Sequence, residues 1–236
     1  MGKGKILVTG GTGYIGSHTV VELCNAGYEP IIIDNLSNSN INVLDGIKAI
    51  TGHPVTYENI DCKDYNSLER FLEKHSEIVA IAHFAASKSV GESVNNPLLY
   101  YRNNILSLIN LLQLMAKFNI KNIVFSSSCT VYGQADVLPV TEQSPIKPAT
   151  SPYGSTKQMS ETILQDAAFA NKDLNAILLR YFNPIGAHPS AEIGELPNGI
   201  PNNLLPYITQ TAAGIRKELS VFGNDYNTPD GSCIRD

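Results

Sequence analysis

Tyr153 and Lys157 are the two residues of this 236-residue chain whose types and spacing best suit proton transfer. The apolar pattern of Pro152–Ala170 predicts a helix, and residues four apart lie on the same helical face. A phenol is a weak base at neutral pH because its ordinary pKa is about 10, but a neighbouring ammonium group favours the phenolate. Tyr153 is therefore a candidate general base, and Lys157 is a candidate for lowering its pKa. The alternative is a solvated helix face, on which such a pair is common.

A second chemical pattern is the sequence TGGTGYIG at residues 9–16. The apolar run 6–8 before it predicts a buried strand, and the pattern of residues 14–26 predicts a helix. A helix that starts directly after a strand presents free N–H groups and the positive end of its dipole to phosphates. The glycines suit this turn in three ways: Gly10 makes the tight turn, Gly13 admits a pyrophosphate close to the backbone, and Gly16 lets helix and strand pack closely.

An acidic residue follows the second apolar run of the chain. Residues 31–33 predict a strand, and Asp34 lies at its carboxyl end, about 20 residues beyond the glycines, where an acidic side chain accepts hydrogen bonds from an adenosine ribose. The same carboxylate disfavours a 2′-phosphate, so the pattern predicts NAD rather than NADP as the cofactor. The alternative is an aspartate that opens a polar turn, since Asn and Ser residues follow it.

Three serines follow the apolar run of residues 123–125, so we expect them at the carboxyl end of a strand, where open α/β sheets bind ligands. A hydroxyl there can share a substrate's proton, and we assign this role to Ser128 because Tyr153 and Lys157 follow it. Serines at a strand end are otherwise ordinary turn formers. A serine hydrolase is excluded because no Gly-x-Ser-x-Gly sequence surrounds them. The five histidines are scattered, and His83 is expected to be a packed core residue.

Strand-like and helix-like patterns alternate along most of the chain. This rhythm predicts an α/β fold with a doubly wound parallel sheet (Rossmann), and we expect residues 1–180 to form an NAD-binding domain. After residue 180, Pro, Gly and Asn interrupt the periodicity, leaving a helix-like segment at 206–216 and a strand-like one at 219–222. We expect residues 181–236 to begin a smaller substrate-binding domain whose C-terminal remainder is missing from the chain.

Composition excludes several classes of protein. A net charge of −5 without a basic cluster gives no electrostatic footprint for nucleic acid. The four cysteines are widely spaced and form no C-x-x-C pair, so the sequence predicts neither a zinc site nor a disulfide framework and fits a reducing, cytoplasmic location. The longest apolar segment, 105–115, is interrupted by polar residues, so we expect no membrane span.

The glycine motif, Ser128 and the Tyr153/Lys157 pair resemble the extended short-chain dehydrogenase/reductase superfamily. Within that superfamily the chain is similar to the UDP-glucose 4-epimerase family. The similarity extends over almost the whole length and is more specific than the superfamily motifs. The stretches that carry it are residues 10–20, 34–39, 88–93, 125–133, 151–157, 179–189, 199–207 and 221–230.

The resemblance assigns roles to many further residues. For NAD it implies contacts from Tyr14, Ile15, Asp34, Asn35, Leu36, Ser37, Asn38, Ser39, Asp61, Cys62, Phe84, Ala85, Ala86, Lys88, Asn103 and Phe182, together with the three catalytic residues Ser128, Tyr153 and Lys157. For a UDP-sugar it implies contacts from Lys88, Ser128, Tyr153, Asn183, Asn203, Leu204, Phe222 and Arg235, the last by pairing with the diphosphate. The alternatives are core aromatics for Phe182 and Phe222, a turn for Asn203, and a solvent-facing position for Asn103.

The reaction that the resemblance implies involves no net oxidation. Tyr153 would remove the proton from the sugar 4-hydroxyl while C4 gives a hydride to tightly bound NAD, and the ketone would turn over and receive the hydride on its other face. The expected result is the interconversion of UDP-glucose and UDP-galactose in galactose metabolism. The family also suggests a homodimer that pairs through the predicted helices 97–118 and 152–170.

Three rival functions differ from this expectation. A nucleotide-sugar 4,6-dehydratase follows its active hydroxyl residue with an acidic pair, whereas Cys129 and Thr130 stand here and cannot do that acid–base work at neutral pH. A uronate or other sugar 4-epimerase would use the same three catalytic residues and stays open. A non-catalytic NAD-binding module also stays open.

Overall fold

The computed structural model describes residues 3–201 and 203–233. Its six strands form one parallel sheet in the order β3-β2-β1-β4-β5-β6, which confirms the predicted doubly wound fold. The strands are β1 (Lys5–Thr9), β2 (Glu29–Ile33), β3 (Thr56–Glu58), β4 (Ile78–His83), β5 (Asn122–Ser126) and β6 (Asn175–Leu179). The helices are α1 (Tyr14–Asn25), α2 (Val43–Thr51), α3 (Tyr65–Lys74), α4 (Val90–Asn95), α5 (Pro97–Lys117), α6 (Pro152–Ala170) and α7 (Leu204–Ala212), with a short 3-10 helix at Cys129–Tyr132.

Two hydrophobic cores lie on opposite faces of the sheet. They form because successive side chains of a strand point to opposite faces, so a run of apolar residues supplies both. One core packs Leu7, Ile31, Ile33, Ile81, Ile123 and Phe125 with residues of α3, α5 and α6. The other packs Ile6, Val8, Ile32 and Ala82 with residues of α1 and α2.

The strand order reverses at β1, which pairs with β2 on one side and β4 on the other. The connections after these strands run to opposite faces, and a crevice opens between them at the carboxyl ends. The glycine turn after β1 and the loop after β4 meet there: Phe84 N donates to the Thr9 carbonyl at 3.0 Å. The fold therefore places its ligand crevice where the sequence predicts phosphate and ribose contacts.

Two predictions for the last part of the chain are wrong in detail. The helix predicted at 206–216 is α7, which starts two residues earlier and ends at Ala212, shortly before Gly214 adopts a positive φ of 73°. Residues 219–222 form no strand, and Phe222 among them is 82% exposed. Alternating apolar residues form a strand only against a hydrogen-bonding partner, and none of the described strands pairs with this segment. In the described part of the chain no helix is long and apolar enough to cross a bilayer.

Candidate active site

The glycine turn has the geometry that a bound pyrophosphate needs. Gly10 has a φ of +69°, and a Cβ there would lie 2.7 Å from the Ala85 backbone nitrogen. A Cβ on Gly16 would lie 2.2 Å from the Gly10 carbonyl oxygen, so α1 approaches the turn as closely as only glycine permits. The N-cap of α1 is Gly13, without a capping side chain, and the first helical turn holds no acidic residue. The N-terminal N–H groups of α1 therefore suit an anionic ligand.

Asp34 lies at the end of β2 and also organises the turn after it. Its Oδ2 accepts the Thr12 N–H at 3.3 Å, while its Oδ1 accepts the Leu36 N–H at 2.9 Å and the Ser39 hydroxyl at 3.1 Å. The polar turn is thus present, and Asp34 also lies at the carboxyl end of a strand beside the crevice. Its contact with a ribose stays a prediction. The loop 34–39 is folded around this carboxylate beside the glycine turn.

Polar contacts join the loops that follow β2, β3 and β4. Asn35 Nδ2 donates to Asp61 Oδ2 at 3.1 Å, and Lys63 Nζ donates to Asn103 Oδ1 at 2.7 Å. Asn103 Nδ2 in turn donates to Ser87 Oγ at 2.9 Å. Asn103 therefore does not simply face solvent, and its position on α5 fits the predicted wall of the cofactor crevice.

Buried neutral groups form the floor of this crevice. Thr9 Oγ1 lies 2.6 Å from His83 Nδ1 and accepts the Ala85 N–H at 3.3 Å. Burial lowers the pKa of His83 to about 3 and raises that of the Cys62 thiol to about 12, so both are uncharged at neutral pH. His83 is 2% exposed, in agreement with the prediction of a packed core residue. Phe84, Ala85 and Ala86 follow it, half-buried, along the loop after β4.

Tyr153 and Lys157 stand near the start of α6, beside the end of β5. The helix begins here because Ser151 Oγ accepts the Gly154 N–H at 3.1 Å and proline occupies the first turn. Lys157 Nζ donates to the Ser126 carbonyl at 2.6 Å and lies 5.7 Å from the centre of the Tyr153 ring. The helix pair and the serine segment therefore meet as predicted.

Ser128 completes this group through its hydroxyl. Its Oγ accepts the Thr130 N–H at 3.2 Å, which leaves the hydroxyl proton for donation. A hydrogen bond from Ser128 acts on Tyr153 and lowers the pKa of the phenol. A hydroxyl that stabilises the phenolate is suited to sharing a proton with it during a reaction.

The pKa values differ from the sequence expectation. Burial raises the pKa of Tyr153, and this effect outweighs the hydrogen bond from Ser128. Burial also lowers the pKa of Lys157 to about 8, against a raising effect of Glu161. The expectation that Lys157 lowers the pKa of Tyr153 is therefore wrong for the protein without a bound cofactor. The Lys157 ammonium group donates to the Ser126 carbonyl instead, and burial keeps the phenol neutral. Tyr153 is a neutral phenol at pH 7 in this structure.

Replacing Lys157 by Met is expected to stabilise the fold at pH 7, with an advantage that shrinks between about pH 8 and pH 10.5. In this window the unfolded chain binds the lysine proton and the folded chain does not, because burial lowers the pKa from 10.5 to about 8. Wild-type stability therefore rises with pH here, by at most about 3 kcal/mol, relative to the variant. Urea unfolding of both proteins at pH 7 and pH 10 measures the gap, and an equal gap at both values contradicts the prediction.

The structure describes most of the residues expected to bind substrate, and it also describes Phe182, which is expected to contact NAD. Phe182 is 42% and Phe222 is 82% exposed, so the alternative of core aromatics is wrong for both. Asn203 is the N-cap residue of α7, and its Nδ2 donates to Glu195 Oε1 at 2.5 Å. Lys88 Nζ lies 3.9 Å from the same oxygen. Among the others, Asn183 is half-buried, Leu204 is 63% exposed, and Arg235 lies outside the described residues.

Sequence reasoning missed three charged residues next to these groups. Glu195 links Lys88 to Asn203, and no local pattern marks it. Glu161 and Arg180 form a partly buried ion pair behind the serine segment. Glu161 follows Lys157 by four residues on the same helical face, and this spacing is the one sequence signal that could have identified it.

Comparison with known proteins identifies the class to which this fold and site belong. The model of the NAD dependent epimerase/dehydratase family matches residues 6–236. The chain therefore belongs to the NAD-dependent epimerase/dehydratase family.

Relatives of the chain within the family include UDP-glucose 4-epimerases. Those of Dictyostelium discoideum and Bacillus subtilis (strain 168) are 53% and 54% identical to the chain over 98% of its length, and the match covers 67% and 68% of their own length. The crystal structure of UDP-glucose 4-epimerase from Bifidobacterium longum in complex with NAD+ and UDP has a TM-score of 0.95 and 47% identity, covering 98% of this chain and 69% of that one.

Proposed function

We propose that this protein is an NAD-dependent epimerase that interconverts UDP-glucose and UDP-galactose by inverting C4 of the sugar, as a step of galactose metabolism. The observation that carries the proposal is the meeting of Ser128, Tyr153 and Lys157 at the carboxyl end of the sheet, beside a glycine turn open to a pyrophosphate. The identity to UDP-glucose 4-epimerases supports the choice of substrate.

The residues of the crevice fit NAD. The glycine turn and the N-terminus of α1 would hold the pyrophosphate, Asp34 and its loop the adenosine ribose, and Asp61 and Cys62 the adenine. Lys88, Asn103, Phe182 and residues 84–86 would continue the wall. Bound NAD supplies a hydride acceptor that is regenerated in each cycle and, while oxidised, a positive charge that favours the Tyr153 phenolate.

The side chains of this protein do the proton chemistry. Tyr153, as the phenolate, takes the proton of the sugar 4-hydroxyl and returns it when the hydroxyl forms again. Ser128 donates a hydrogen bond that stabilises the phenolate and can share the proton. Lys157 places an ammonium group 5.7 Å from the Tyr153 ring, in a buried environment where charges interact strongly.

The segment 181–236 would bind the sugar nucleotide as the start of a substrate-binding domain. Asn183, Asn203, Leu204, Phe222 and Arg235 would hold it together with Lys88. Support comes from the exposure of the Phe222 ring and from the contact of Glu195 with both Lys88 and Asn203. It also comes from solved relatives, one with UDP and another, from Stenotrophomonas maltophila, with a formylated UDP-arabinopyranose.

Incubating the full-length protein with UDP-galactose, without added NAD, tests the function. We expect UDP-glucose to form, because the cofactor would be retained from one turnover to the next. UDP-glucuronate in place of the hexose tests the uronate epimerase, and conversion of that sugar alone would replace our proposal. Retained NAD without conversion of either sugar would favour a non-catalytic module.

A homodimer in the cytoplasm is also part of the proposal. Helices α4, α5 and α6 expose the apolar side chains of Val94, Leu98 and Phe169, which are 60%, 79% and 79% exposed, and this supports pairing through these helices. All four cysteines are free, in keeping with a reducing compartment. A monomer in sedimentation velocity would contradict the proposed homodimer. Cell fractionation that finds the protein outside the cytoplasm would contradict the proposed location.

A further inference from the structure

An ion pair between a buried carboxylate and a partly buried guanidinium lies directly behind the serine segment. Glu161 is 2% exposed, and its two carboxylate oxygens accept Arg180 Nε at 2.9 Å and Arg180 Nη2 at 2.7 Å. The Ser127 hydroxyl donates a short hydrogen bond to the same carboxylate. Arg180 Nη1 donates to the Tyr132 hydroxyl at 3.0 Å, so the guanidinium bridges the helix and the segment after β5. The cluster therefore joins α6, the serine segment and the residue that follows β6.

The residues after β6 hold the serine segment on both sides of Ser128. On one side, Arg180 acts through Glu161 on Ser127. On the other side, the carbonyl of Tyr181 accepts the Cys129 N–H at 2.7 Å. Ser128 lies between these two anchors with extended backbone angles, φ −160° and ψ 152°. Its direction thus depends on neighbours that are fixed by hydrogen bonds rather than by packing alone.

Stability alone is a weak reason for such a cluster. Removing two charges from water carries a large desolvation penalty, and an apolar pair of equal volume often stabilises a core as well or better. A charged pair does what an apolar pair cannot, because it fixes the direction of a hydroxyl and of a strand end. The group it fixes here is next in sequence to Ser128, whose side chain lowers the pKa of Tyr153.

We propose that Glu161 is a positioning residue: paired with Arg180, it holds Ser127 and thereby fixes the Ser128 hydroxyl against the Tyr153 phenol. This inference rests on the proposed function for its catalytic consequence, but not for its structural one. Without the Glu161–Ser127 link all reacting groups are still present, but Ser128 is held less firmly against Tyr153. We therefore expect kcat to fall and substrate binding to stay almost unchanged.

The first test compares three variants of the full-length, NAD-bound protein. Ser127→Ala cuts the link between the ion pair and the serine segment, and Glu161→Gln removes the charge. Ser160→Ala is the matched control, because Ser160 is a fully buried serine of α6 whose hydroxyl has no hydrogen-bond partner. We expect the first two to lower kcat by about tenfold or more with KM within about twofold, and the control to stay within about twofold in both.

The second test needs no activity. Titration of ¹³C-tyrosine-labelled protein by NMR reports the pKa of Tyr153, whose other polar and charged neighbours are Lys157, Cys129, Tyr181 and Tyr100. Ser127→Ala leaves these neighbours intact, so a displaced Ser128 hydroxyl is expected to raise the Tyr153 pKa, because its hydrogen bond lowers that pKa in the wild type. Ser160→Ala is expected to leave it unchanged.

The outcomes separate this inference from the proposed function. Wild-type protein that fails to convert UDP-galactose contradicts the proposed function, and the tyrosine titration then decides on the positioning role by itself. If Glu161→Gln does not fold, Ser127→Ala decides, since it keeps the ion pair. Wild-type kcat and an unchanged Tyr153 pKa in Ser127→Ala would overturn the inference.

Discussion

Replacing Tyr153 by Phe is expected to lower the rate of 4-epimerisation by about 10²–10⁴-fold while NAD stays bound. The change removes one oxygen, the proposed acceptor of the sugar proton, and keeps the ring. That ring packs edge-on against Tyr100, with centres 6.5 Å apart, so the variant is expected to fold normally. An assay of UDP-glucose formed from UDP-galactose, together with the NAD content of the purified protein, measures both effects.

Tyr28→Phe is the matched control for this experiment. Tyr28 precedes β2 at the amino end of the sheet, opposite the crevice, and loses the same atom. We expect it to keep wild-type activity. A Tyr153→Phe enzyme as fast as Tyr28→Phe would remove Tyr153 from the mechanism.

Replacing Gly16 by Ala is expected to abolish NAD retention and to destabilise the fold by about 1–3 kcal/mol. The new methyl group would lie 2.2 Å from the Gly10 carbonyl oxygen and 2.9 Å from the Gly11 Cα, both backbone atoms that cannot move aside like a side chain. Helix α1 must therefore shift away from the turn, and the N–H groups that would face the pyrophosphate shift with it. Urea unfolding and the absorbance of bound cofactor report the two effects.

Gly91→Ala offers the same chemical change without the clash. Gly91 lies in α4, and a Cβ there would meet no atom within 4 Å. Because alanine forms helices better than glycine, we expect the change to be neutral or to stabilise the fold by up to about 1 kcal/mol. Equal losses in Gly16→Ala and Gly91→Ala would mean that close packing at the turn is not what holds the cofactor.

Local signals account for the parts of the fold that sequence predicts well. Helix α6 begins and ends where predicted, because its N-cap Ser151 and the apolar spacing after it lie within the segment itself. The prediction of a strand at 219–222 is wrong for the opposite reason. Whether this segment forms a strand depends on a partner elsewhere in the chain, which its own residues do not reveal.

The residues of the site show the same difference between local signals and contacts that depend on the whole fold. Tyr153 and Lys157 are four residues apart on one helix, and Ser128 follows a strand by two residues, so sequence alone proposes them as partners. Glu161 and Ser127 are 34 residues apart, and only the packing of α6 on β5 brings them together. The raised pKa of Tyr153 was unpredictable in the same sense, because burial depends on the whole fold.

The three hydrogen bonds that Asp34 accepts bear on attempts to re-engineer cofactor preference. The carboxylate of Asp34 holds its loop in place through hydrogen bonds with Thr12, Leu36 and Ser39. We expect the same carboxylate to repel a phosphorylated ribose. Replacing Asp34 alone by a neutral or basic side chain is expected to remove this repulsion and, at the same time, the hydrogen bonds that hold the loop. A switch to the phosphorylated dinucleotide therefore calls for transplanting residues 34–39 as a block.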